Sequence, residues 1–478
     1  MRAFKSAALL THLRIALCVG VLFFGCVEAD QVDDVVSAEM ARQHIPGVSI
    51  AVVKNGKIVK EKGYGIANVE HQVPVTSSTV FQSGSVGKQF TAALTMLLVE
   101  DGKIKLDEPI SAYLPTTPAS WSKITVRHLL THTSGMAAVD KSIDMRKDYS
   151  EEELLQHIEN VPLLSPPGEK WAYSNMGYQV LGILCSRVGG SFYGDQLRER
   201  LFKPIGMGTR IISERDIVPH RAAGYDRVGE VLYNQEWVSP TLNSTGDGSL
   251  YLTAHDLALW SIALEGDQVL SKSMKDISWT PAKLNDGSTT NYGFGWFVES
   301  KNGHRRVGHG GAWQGFTTVI TRFIDDGLAV IVLTNRSHSR PDLIVDEIAA
   351  RYVPGLISKT AQPTAGLFAS IPIYVRGTMN GWSLRDRMQK ADQSIYEAEL
   401  TLETGSNAFF IESEDGEEVE LGAPFDEQAT YLDKPKPLDL KADILILEVS
   451  KLGRYVFRVD VRDPHKPLLT VRPKAGLN

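Results

Sequence analysis

Hydrophobic and polar positions repeat with different periods along the chain, and the first part mixes both periods. Apolar residues at helical spacing over 32–43 predict an amphipathic helix that ends before Ile45-Pro46-Gly47. Two apolar runs, 48–53 and 57–60, flank Asn55-Gly56, a pair that favours a tight β-hairpin. A mainly helical pattern then follows through the middle of the chain.

Strand patterns return after residue 293. Short runs rich in apolar and β-branched residues indicate strands, and a closing helix follows at 341–352; the runs are 293–299, 306–308, 317–323 and 329–334. Strands from both ends of this region therefore enclose a helical insert. We predict an α+β fold, with an antiparallel sheet flanked by helices and a mostly α-helical subdomain.

The last part of the chain has a different pattern of apolar and polar residues. Short alternating runs separated by turn residues predict a small β-sandwich, at 372–376, 394–400, 407–411, 443–447 and 454–459. The acidic stretch 412–420 is predicted to be a solvated hairpin tip. The predicted organisation is a signal peptide at 1–29, a main domain at 30–357, a linker at 358–366 and a C-terminal β domain at 367–478.

The first residues are typical of an export signal. Basic residues precede an apolar segment, 15–24, that is too short for a confident membrane span, and Ala29 offers a small-residue cleavage site. We expect a periplasmic or secreted protein without a transmembrane anchor after cleavage. One alternative is a lipoprotein with a lipid anchor on Cys26, and another is an uncleaved membrane anchor.

Composition narrows the class of protein further. The chain has 478 residues, 43% of them hydrophobic and 22% charged, which is typical of a globular protein. A net charge of −7 gives no reason to expect a nucleic-acid partner. Cys18 and Cys26 fall in the predicted signal peptide, and Cys185 lies in an apolar run that indicates a buried core thiol. No His/Cys cluster has metal-ligand spacing, so we predict no metal and no cofactor.

Ser85 and Lys88 form the first candidate catalytic motif. They stand three residues apart just before a helical apolar pattern, so both side chains lie on one helix face. A serine hydroxyl needs a proton acceptor within reach, and burial can lower the pKa of a lysine enough for it to serve as that base. The alternative is an ordinary exposed helix, since this spacing also arises by chance.

Two further motifs carry polar groups suited to acyl transfer. Tyr173-Ser174-Asn175 offers a phenol for proton relay and an amide that can orient a lysine or a carbonyl. His309-Gly310-Gly311-Ala312 precedes a strand, and its glycines allow the backbone to approach a ligand closely. The alternatives are a loop aromatic beside a helix cap and a plain glycine turn.

In this order the three motifs resemble those of the serine β-lactamase and penicillin-binding-protein superfamily. The chain is most similar to the class C β-lactamase-like branch, which includes esterases, D-aminopeptidases and CubicO-type hydrolases. The likeness covers about 32–355 and is supported by four other stretches, at 124–135, 202–207, 246–258 and 292–296. The resemblance implies an active site in the cleft between the sheet and the helical subdomain.

The resemblance also implies a role for each motif residue. Ser85 would be the acylated nucleophile, Lys88 would assist its deprotonation, and Tyr173 would be the second acid/base. Whether Lys88 or a Tyr173 phenolate takes the serine proton stays open at this point. Four groups would support them: Asn175 would hold Lys88 and the substrate amide, His309 and Gly311 would line the substrate strand, and Ala312 N–H would form an oxyanion hole with Ser85 N–H.

At one motif the sequence departs from the pattern of this superfamily, and the departure affects the predicted function. Many members of this superfamily have Lys-Thr-Gly where this chain has His309-Gly310-Gly311, and a histidine is largely neutral at pH 7. We therefore predict an exported serine hydrolase that cleaves a small-molecule carboxylic ester or a small amide or peptide through an acyl-enzyme. The alternatives are a true β-lactamase or D,D-peptidase, and a non-catalytic penicillin-sensing protein.

The C-terminal domain carries a weaker resemblance of its own. Residues 374–383, with Trp382, look like the start of starch- or glycogen-binding modules and their immunoglobulin-like relatives. This resemblance implies carbohydrate contact through Trp382. The alternative is a tryptophan that packs in the core or rim of the sandwich.

Overall fold

The computed structural model describes residues 23–474, except 115, 141, 212–214, 229, 249, 357–367, 369–370, 381–385, 415–418 and 426. Most of the predicted signal peptide, the predicted linker and Trp382 therefore lie outside the described residues. The predicted export and the predicted carbohydrate contact stay predictions. Within the described part of the chain, no helix is both long and apolar enough to cross a membrane.

The described strands, in chain order, are β1 (Gly47–Lys54), β2 (Lys57–Asn68), β3 (Val73–Pro74), β4 (Phe81–Gln82), β5 (Tyr225–Val228), β6 (Val231–Asn234), β7 (Tyr251–Leu252), β8 (Phe297–Lys301), β9 (His304–Trp313), β10 (Phe316–Phe323), β11 (Leu328–Thr334), β12 (Ile373–Gly377), β13 (Gln389–Asp392), β14 (Ile395–Leu402), β15 (Gly405–Ser413), β16 (Glu420–Gly422), β17 (Ala429–Thr430), β18 (Lys436–Pro437), β19 (Asp439–Leu440), β20 (Leu445–Val449), β21 (Gly453–Asp460) and β22 (Leu468–Pro473).

The described α-helices are α1 (Phe23–Arg42), α2 (Lys88–Glu100), α3 (Val126–Leu130), α4 (Glu151–Glu159), α5 (Asn175–Gly189), α6 (Tyr193–Leu197), α7 (Ala254–Ala263), α8 (Lys272–Ser278) and α9 (Pro341–Tyr352). The closing helix has the predicted bounds. The first helix begins nine residues before the predicted start at Val32, so it includes the last part of the predicted signal peptide.

A seven-stranded sheet forms the centre of the N-terminal region, in the order β3-β2-β1-β11-β10-β9-β8. Every pairing in it is antiparallel, and strands from both ends of the region meet where β1 pairs with β11. The predicted hairpin at Asn55-Gly56 is confirmed, with both residues in the left-handed conformation that this turn requires. The predicted α+β fold is confirmed.

The two faces of the sheet are covered by different helices, which explains why β1 is buried almost throughout. Val48, Ile50 and Val52 pack in one cluster with residues of α1 and α9. Ala51 and Val53 belong to a larger cluster that continues into the helical region. Because successive side chains of β1 point to opposite faces of the sheet, the strand contributes to one hydrophobic core on each face.

Buried helices fill the middle of the chain, and α2 packs against α5 at its centre. The two helices carry buried residues on most of their surface. Cys185 is fully buried on α5, and its Sγ lies 3.3 Å from Thr95 Oγ1 of α2. The predicted buried core thiol is confirmed.

The C-terminal region contains two packed sheets, as the sequence predicts. One has the order β17-β20-β15-β16-β19 with β12 beside β15, and the other has the order β13-β14-β21-β22-β18. Phe409 of the first sheet and Phe457 of the second meet edge to face, with ring centroids 5.1 Å apart. A strand-rich region with its own hydrophobic core follows the α+β region.

The acidic stretch 412–420 joins β15 to β16 as an antiparallel hairpin, as predicted, but its two ends are buried rather than solvated, and the tip at 415–418 lies outside the described residues. Glu412 and Glu420 are 8% and 7% exposed, and β15 and β16 contain them. Glu420 pairs at 2.5 Å with Arg340, which precedes α9, and Glu412 pairs at 3.1 Å with Arg376. Buried carboxylates need such partners. The stretch therefore docks the C-terminal sheet onto the α9 side of the main domain.

Candidate active site

A tight turn places Ser85 and Lys88 on the same side of the chain. Residues Gly84–Gly87 form a 3₁₀ turn, and α2 begins at Lys88, so the predicted i, i+3 relation is kept in a tighter helix. Gly84 has φ +50, and a Cβ there would lie 2.5 Å from the backbone nitrogen of Ala312. Ser85 is partly exposed at this point, whereas Lys88 is fully buried.

The buried Lys88 amine is held by oxygens from three parts of the chain. They surround its Nζ at short distances: Ser85 Oγ at 2.9 Å, Asn175 Oδ1 at 2.8 Å and the backbone carbonyl of Asp247 at 2.6 Å. Burial lowers the pKa of Lys88 to about 7, and the charge of Asp247 opposes this shift. A large fraction of the amine is therefore neutral near pH 7.

Tyr173 lies directly before α5 and beside the same two groups. Its phenol lies close to the Ser85 side chain, and Lys88 Nζ lies 4.9 Å from its ring centroid. Burial raises the pKa of Tyr173 above its ordinary value, although the contact with Ser85 lowers it in part. The phenol thus stays protonated under conditions in which Lys88 is partly neutral.

The start of α5 fixes Asn175. Ser174 is the N-cap residue, and its side chain accepts a hydrogen bond from Gly177 N–H at 3.0 Å. Asn175 is thus the first helical residue rather than the cap, and its amide oxygen is free to face Lys88. The structure brings the two sequence motifs together at this point.

Strand β9 closes the other side of the cleft. A Cβ at Gly311 would lie 2.0 Å from the backbone oxygen of Ser83 and 2.9 Å from Ser85 N, so this position requires glycine. Thr318 Oγ1 of β10 donates to the same Ser83 oxygen at 2.6 Å. The backbone nitrogens of Ser85 and Ala312 are therefore held at one edge of the cleft, where the sequence predicts an oxyanion hole.

The hydrogen bonds of His309 define its protonation state. Its Nδ1 lies 2.6 Å from the carbonyl of Gly310, which can only accept, so Nδ1 carries the proton. Its Nε2 then accepts a hydrogen bond from the Tyr292 hydroxyl at 2.9 Å. Burial lowers the pKa of His309 to about 3, and the nearby Lys88 adds to this shift. His309 is therefore a neutral residue with both ring nitrogens occupied.

Sequence analysis did not assign roles to His132, Tyr178, Tyr292 and Asp247, which the structure places around the predicted residues. The rings of His132 and Tyr292 pack on Tyr173, and His132 also packs on Tyr178 and Tyr292. Three of these residues lie in stretches that support the family resemblance, at 124–135, 246–258 and 292–296, which is the signal that could have found them. In the described part of the chain, no cluster of His, Cys, Asp or Glu is arranged to hold a metal ion.

Comparison with known proteins agrees with this geometry. The Beta-lactamase family profile matches residues 32–355, and the chain belongs to this family. It is a serine hydrolase of the β-lactamase/transpeptidase-like superfamily.

Two known proteins are similar in sequence to about two thirds of this chain. The chain is 30% identical over 321 residues to penicillin-binding protein 4* of Bacillus subtilis, covering 63% of this chain and 70% of that protein. It is 26% identical over 337 residues to protein flp of Staphylococcus aureus strain MW2, covering 68% of this chain and 66% of that protein. The chain thus spans about two thirds of the length of these relatives.

Two solved structures have a similar fold. D-amino acid amidase from Ochrobactrum anthropi SV3 matches with a TM-score of 0.60 and 25% identity, over 68% of this chain and 98% of the amidase. The octameric penicillin-binding protein homologue from Pyrococcus abyssi matches with a TM-score of 0.61 and 22% identity, over 92% of this chain and all of the homologue. The second likeness extends into the C-terminal strand-rich region.

Proposed function

We propose that this protein hydrolyses a carboxylic ester or small amide through a covalent acyl-enzyme on Ser85. The observation that supports this most strongly is the arrangement of the Lys88 amine. A neutral amine has two N–H groups and one lone pair, and two of its three oxygen neighbours, on Asn175 and Asp247, can only accept. Both N–H groups are thereby used, and the lone pair faces Ser85 Oγ.

Acylation then follows from these contacts. Ser85 Oγ attacks the substrate carbonyl carbon while its proton moves to Lys88 Nζ, and the carbonyl oxygen becomes an oxyanion. The backbone N–H groups of Ser85 and Ala312 stabilise that oxyanion. Because the pKa of Lys88 is about 7, the base is available at neutral pH without being too weak to accept the proton.

Tyr173 completes the reaction as the acid. Its phenol gives a proton to the leaving oxygen or nitrogen as the carbon–heteroatom bond breaks, and the proton on Lys88 returns to the Tyr173 oxygen through a water. Water then attacks the acyl-enzyme, with the same groups acting in reverse, and releases the carboxylic acid. The raised pKa of Tyr173 favours this role over that of a phenolate base.

The neutral His309 restricts the substrate group that lies beside β9. With its Nδ1 bonded to Gly310 and its Nε2 bonded to Tyr292, it offers neither a positive charge nor a free N–H to a carboxylate. An ester or a carboxamide needs neither. The likeness to D-amino acid amidase supports an amide among the substrates. We therefore propose a substrate that is uncharged where it contacts β9.

A second candidate is acylation by a β-lactam, with slow or no release. The sequence likeness to penicillin-binding protein 4* favours it. This candidate uses the same Ser85 and Lys88, so only the choice of substrate separates it from the first.

The test compares three substrates with one protein. Purified protein and its Ser85→Ala variant are assayed with p-nitrophenyl butyrate, D-phenylalanine amide and nitrocefin. We expect turnover of the ester or the amide that is lost in the variant, with nitrocefin nearly inert. Rapid nitrocefin turnover, or a stable adduct on Ser85 by mass spectrometry, would favour the β-lactam reading. Equal ester turnover by the wild type and Ser85→Ala would contradict the assignment of the nucleophile.

Asp247 offers a test of Lys88 as the base. The Asp247 charge raises the pKa of Lys88, so Asp247→Asn should lower that pKa further and increase the neutral fraction in acid. The rising limb of kcat/KM against pH for p-nitrophenyl butyrate should move to lower pH. The substitution keeps the backbone carbonyl that contacts Lys88. Asp463→Asn in the C-terminal region serves as the control, and an unmoved or alkaline-shifted limb in Asp247→Asn would count against Lys88.

A further inference from the structure

His132 contacts the segment around Tyr173 in three ways. The backbone N–H of Ala172 donates to the His132 carbonyl at 2.9 Å, and that of Ser174 donates to its Nδ1 at 3.1 Å. The His132 and Tyr173 rings stack with centroids 4.2 Å apart and a tilt of 37°. One buried residue therefore holds the backbone on both sides of Tyr173 and also the plane of its phenol ring.

The state of the His132 ring follows from these contacts. Because Nδ1 accepts the Ser174 N–H, the ring proton must lie on Nε2, and this Nε2–H is buried with no hydrogen-bond partner. Burial also holds the pKa of His132 well below its ordinary value, which keeps the Nδ1 lone pair available. The ring thus keeps its Nδ1 bond to Ser174 although Nε2–H has no partner, and a buried polar group of that kind destabilises the fold.

The backbone of His132 shows a second unfavourable feature. Its φ is +58, in the left-handed region that residues other than glycine adopt uncommonly, although asparagine, aspartate and histidine do so more often than the rest. Strained positions of this kind concentrate near functional sites, where the surrounding structure maintains them. In this conformation both the carbonyl and the ring of His132 face 172–174.

We infer that His132 is a positioning residue for Tyr173, holding the phenol where it can pass a proton between Ser85 and the leaving group. The inference rests on the proposed function, and it extends that function to a residue which does not touch Ser85 or Lys88 by hydrogen bond. His132 acts through the geometry of Tyr173, because its Nδ1 is committed to Ser174 and cannot itself transfer a proton.

Two substitutions of His132 by amide side chains distinguish the role of the Nδ1 acceptor from that of the imidazole ring. In His132→Asn the side-chain oxygen lies near the position of Nδ1 and can accept the Ser174 N–H, whereas in His132→Gln it lies near the position of Nε2. We expect Gln to lower kcat/KM for ethyl butyrate by about tenfold to a hundredfold, and Asn to restore much of that loss. Ethyl butyrate is chosen because its alkoxide leaving group depends on the acid.

A double-mutant cycle distinguishes positioning from a general structural role. If His132 acts through Tyr173, His132→Gln should cause no further loss in a Tyr173→Phe background. Equal losses in both backgrounds, or wild-type kcat/KM in His132→Gln, would overturn the inference. Thermal melting of each variant shows whether it is folded, and if His132→Gln fails to fold, His132→Leu, which also lacks the acceptor, takes its place in the cycle. Ester turnover that persists in the Ser85→Ala variant would instead count against the proposed function.

Discussion

Replacement of Lys88 by methionine should lower kcat/KM for p-nitrophenyl butyrate by about 10³-fold or more. Loss of a general base typically costs about 10²–10⁴-fold, and Lys88 also orients Ser85 Oγ through the 2.9 Å contact. Methionine fills much of the buried volume but has no lone pair of comparable basicity. The measurement is steady-state hydrolysis, together with the rate at which a serine-directed phosphonate labels Ser85.

Lys88→Arg is the matched control for this prediction. A guanidinium stays charged at all working pH values, so it can supply a positive charge but cannot accept the Ser85 proton. If Lys88 acts as the base, Arg should be as inactive as Met. If Lys88 acts only through its charge, Arg should retain substantial activity, and that result would contradict the proposed mechanism. A thermal melt of each variant confirms that it is folded.

The wild-type pH profile provides an independent check on the same residue. The neutral form of Lys88 is the base, and its fraction rises as the pH increases through the pKa of about 7. kcat/KM should therefore rise across neutral pH and level off above it. A profile that is flat from pH 5 to 8 would disagree with the lowered pKa of Lys88. The stability of the protein must be followed over the same range, so that unfolding is not mistaken for titration.

Local patterns in the sequence predicted much of the fold. The Asn55-Gly56 turn, the closing helix and the alternating C-terminal strands each depend on neighbouring residues, and each is present in the structure. The i, i+3 spacing of Ser85 and Lys88 also needed no tertiary information, because a 3₁₀ turn and an α-helix both place these side chains on one side.

The remaining contacts of the site depend on how distant segments meet. Asn175 and the carbonyl of Asp247 lie 87 and 159 residues from Lys88 in the chain. The Asn175 contact was predicted only through the family resemblance, and the Asp247 carbonyl was not predicted, since any residue has a backbone oxygen. The tautomer of His309 also escaped prediction, because Tyr292 and Gly310 define it only in the folded chain.

The burial of both ends of the stretch 412–420, which were predicted to be solvated, has a related cause. Charge runs usually face water, but Glu420 pairs with Arg340, which lies 80 residues earlier, directly before α9. A single sequence does not show which acidic run will have a partner. The same dependence on tertiary packing explains why the stretch 124–135, which contains His132, did not reveal the contact of this residue with Tyr173.

Replacement of Tyr173 by phenylalanine should cause a loss that depends on the leaving group. p-Nitrophenolate departs without a proton, whereas ethoxide must be protonated as the bond breaks. We therefore expect a fall in kcat/KM of about 10²–10³-fold for ethyl butyrate but less than about tenfold for p-nitrophenyl butyrate. The two esters share one acyl group and form the same acyl-enzyme, so kcat/KM isolates the acylation step.

The pattern across the two esters separates the acid from the base. If a Tyr173 phenolate took the Ser85 proton, both substrates would lose activity alike, since both need the same nucleophile. The raised pKa of Tyr173 and the lowered pKa of Lys88 argue for the unequal pattern. Tyr178→Phe, which alters a neighbouring phenol that donates to the Leu130 carbonyl at 2.8 Å, serves as the control. Equal losses for the two esters in Tyr173→Phe would reassign Tyr173 as the base and leave Lys88 to support it.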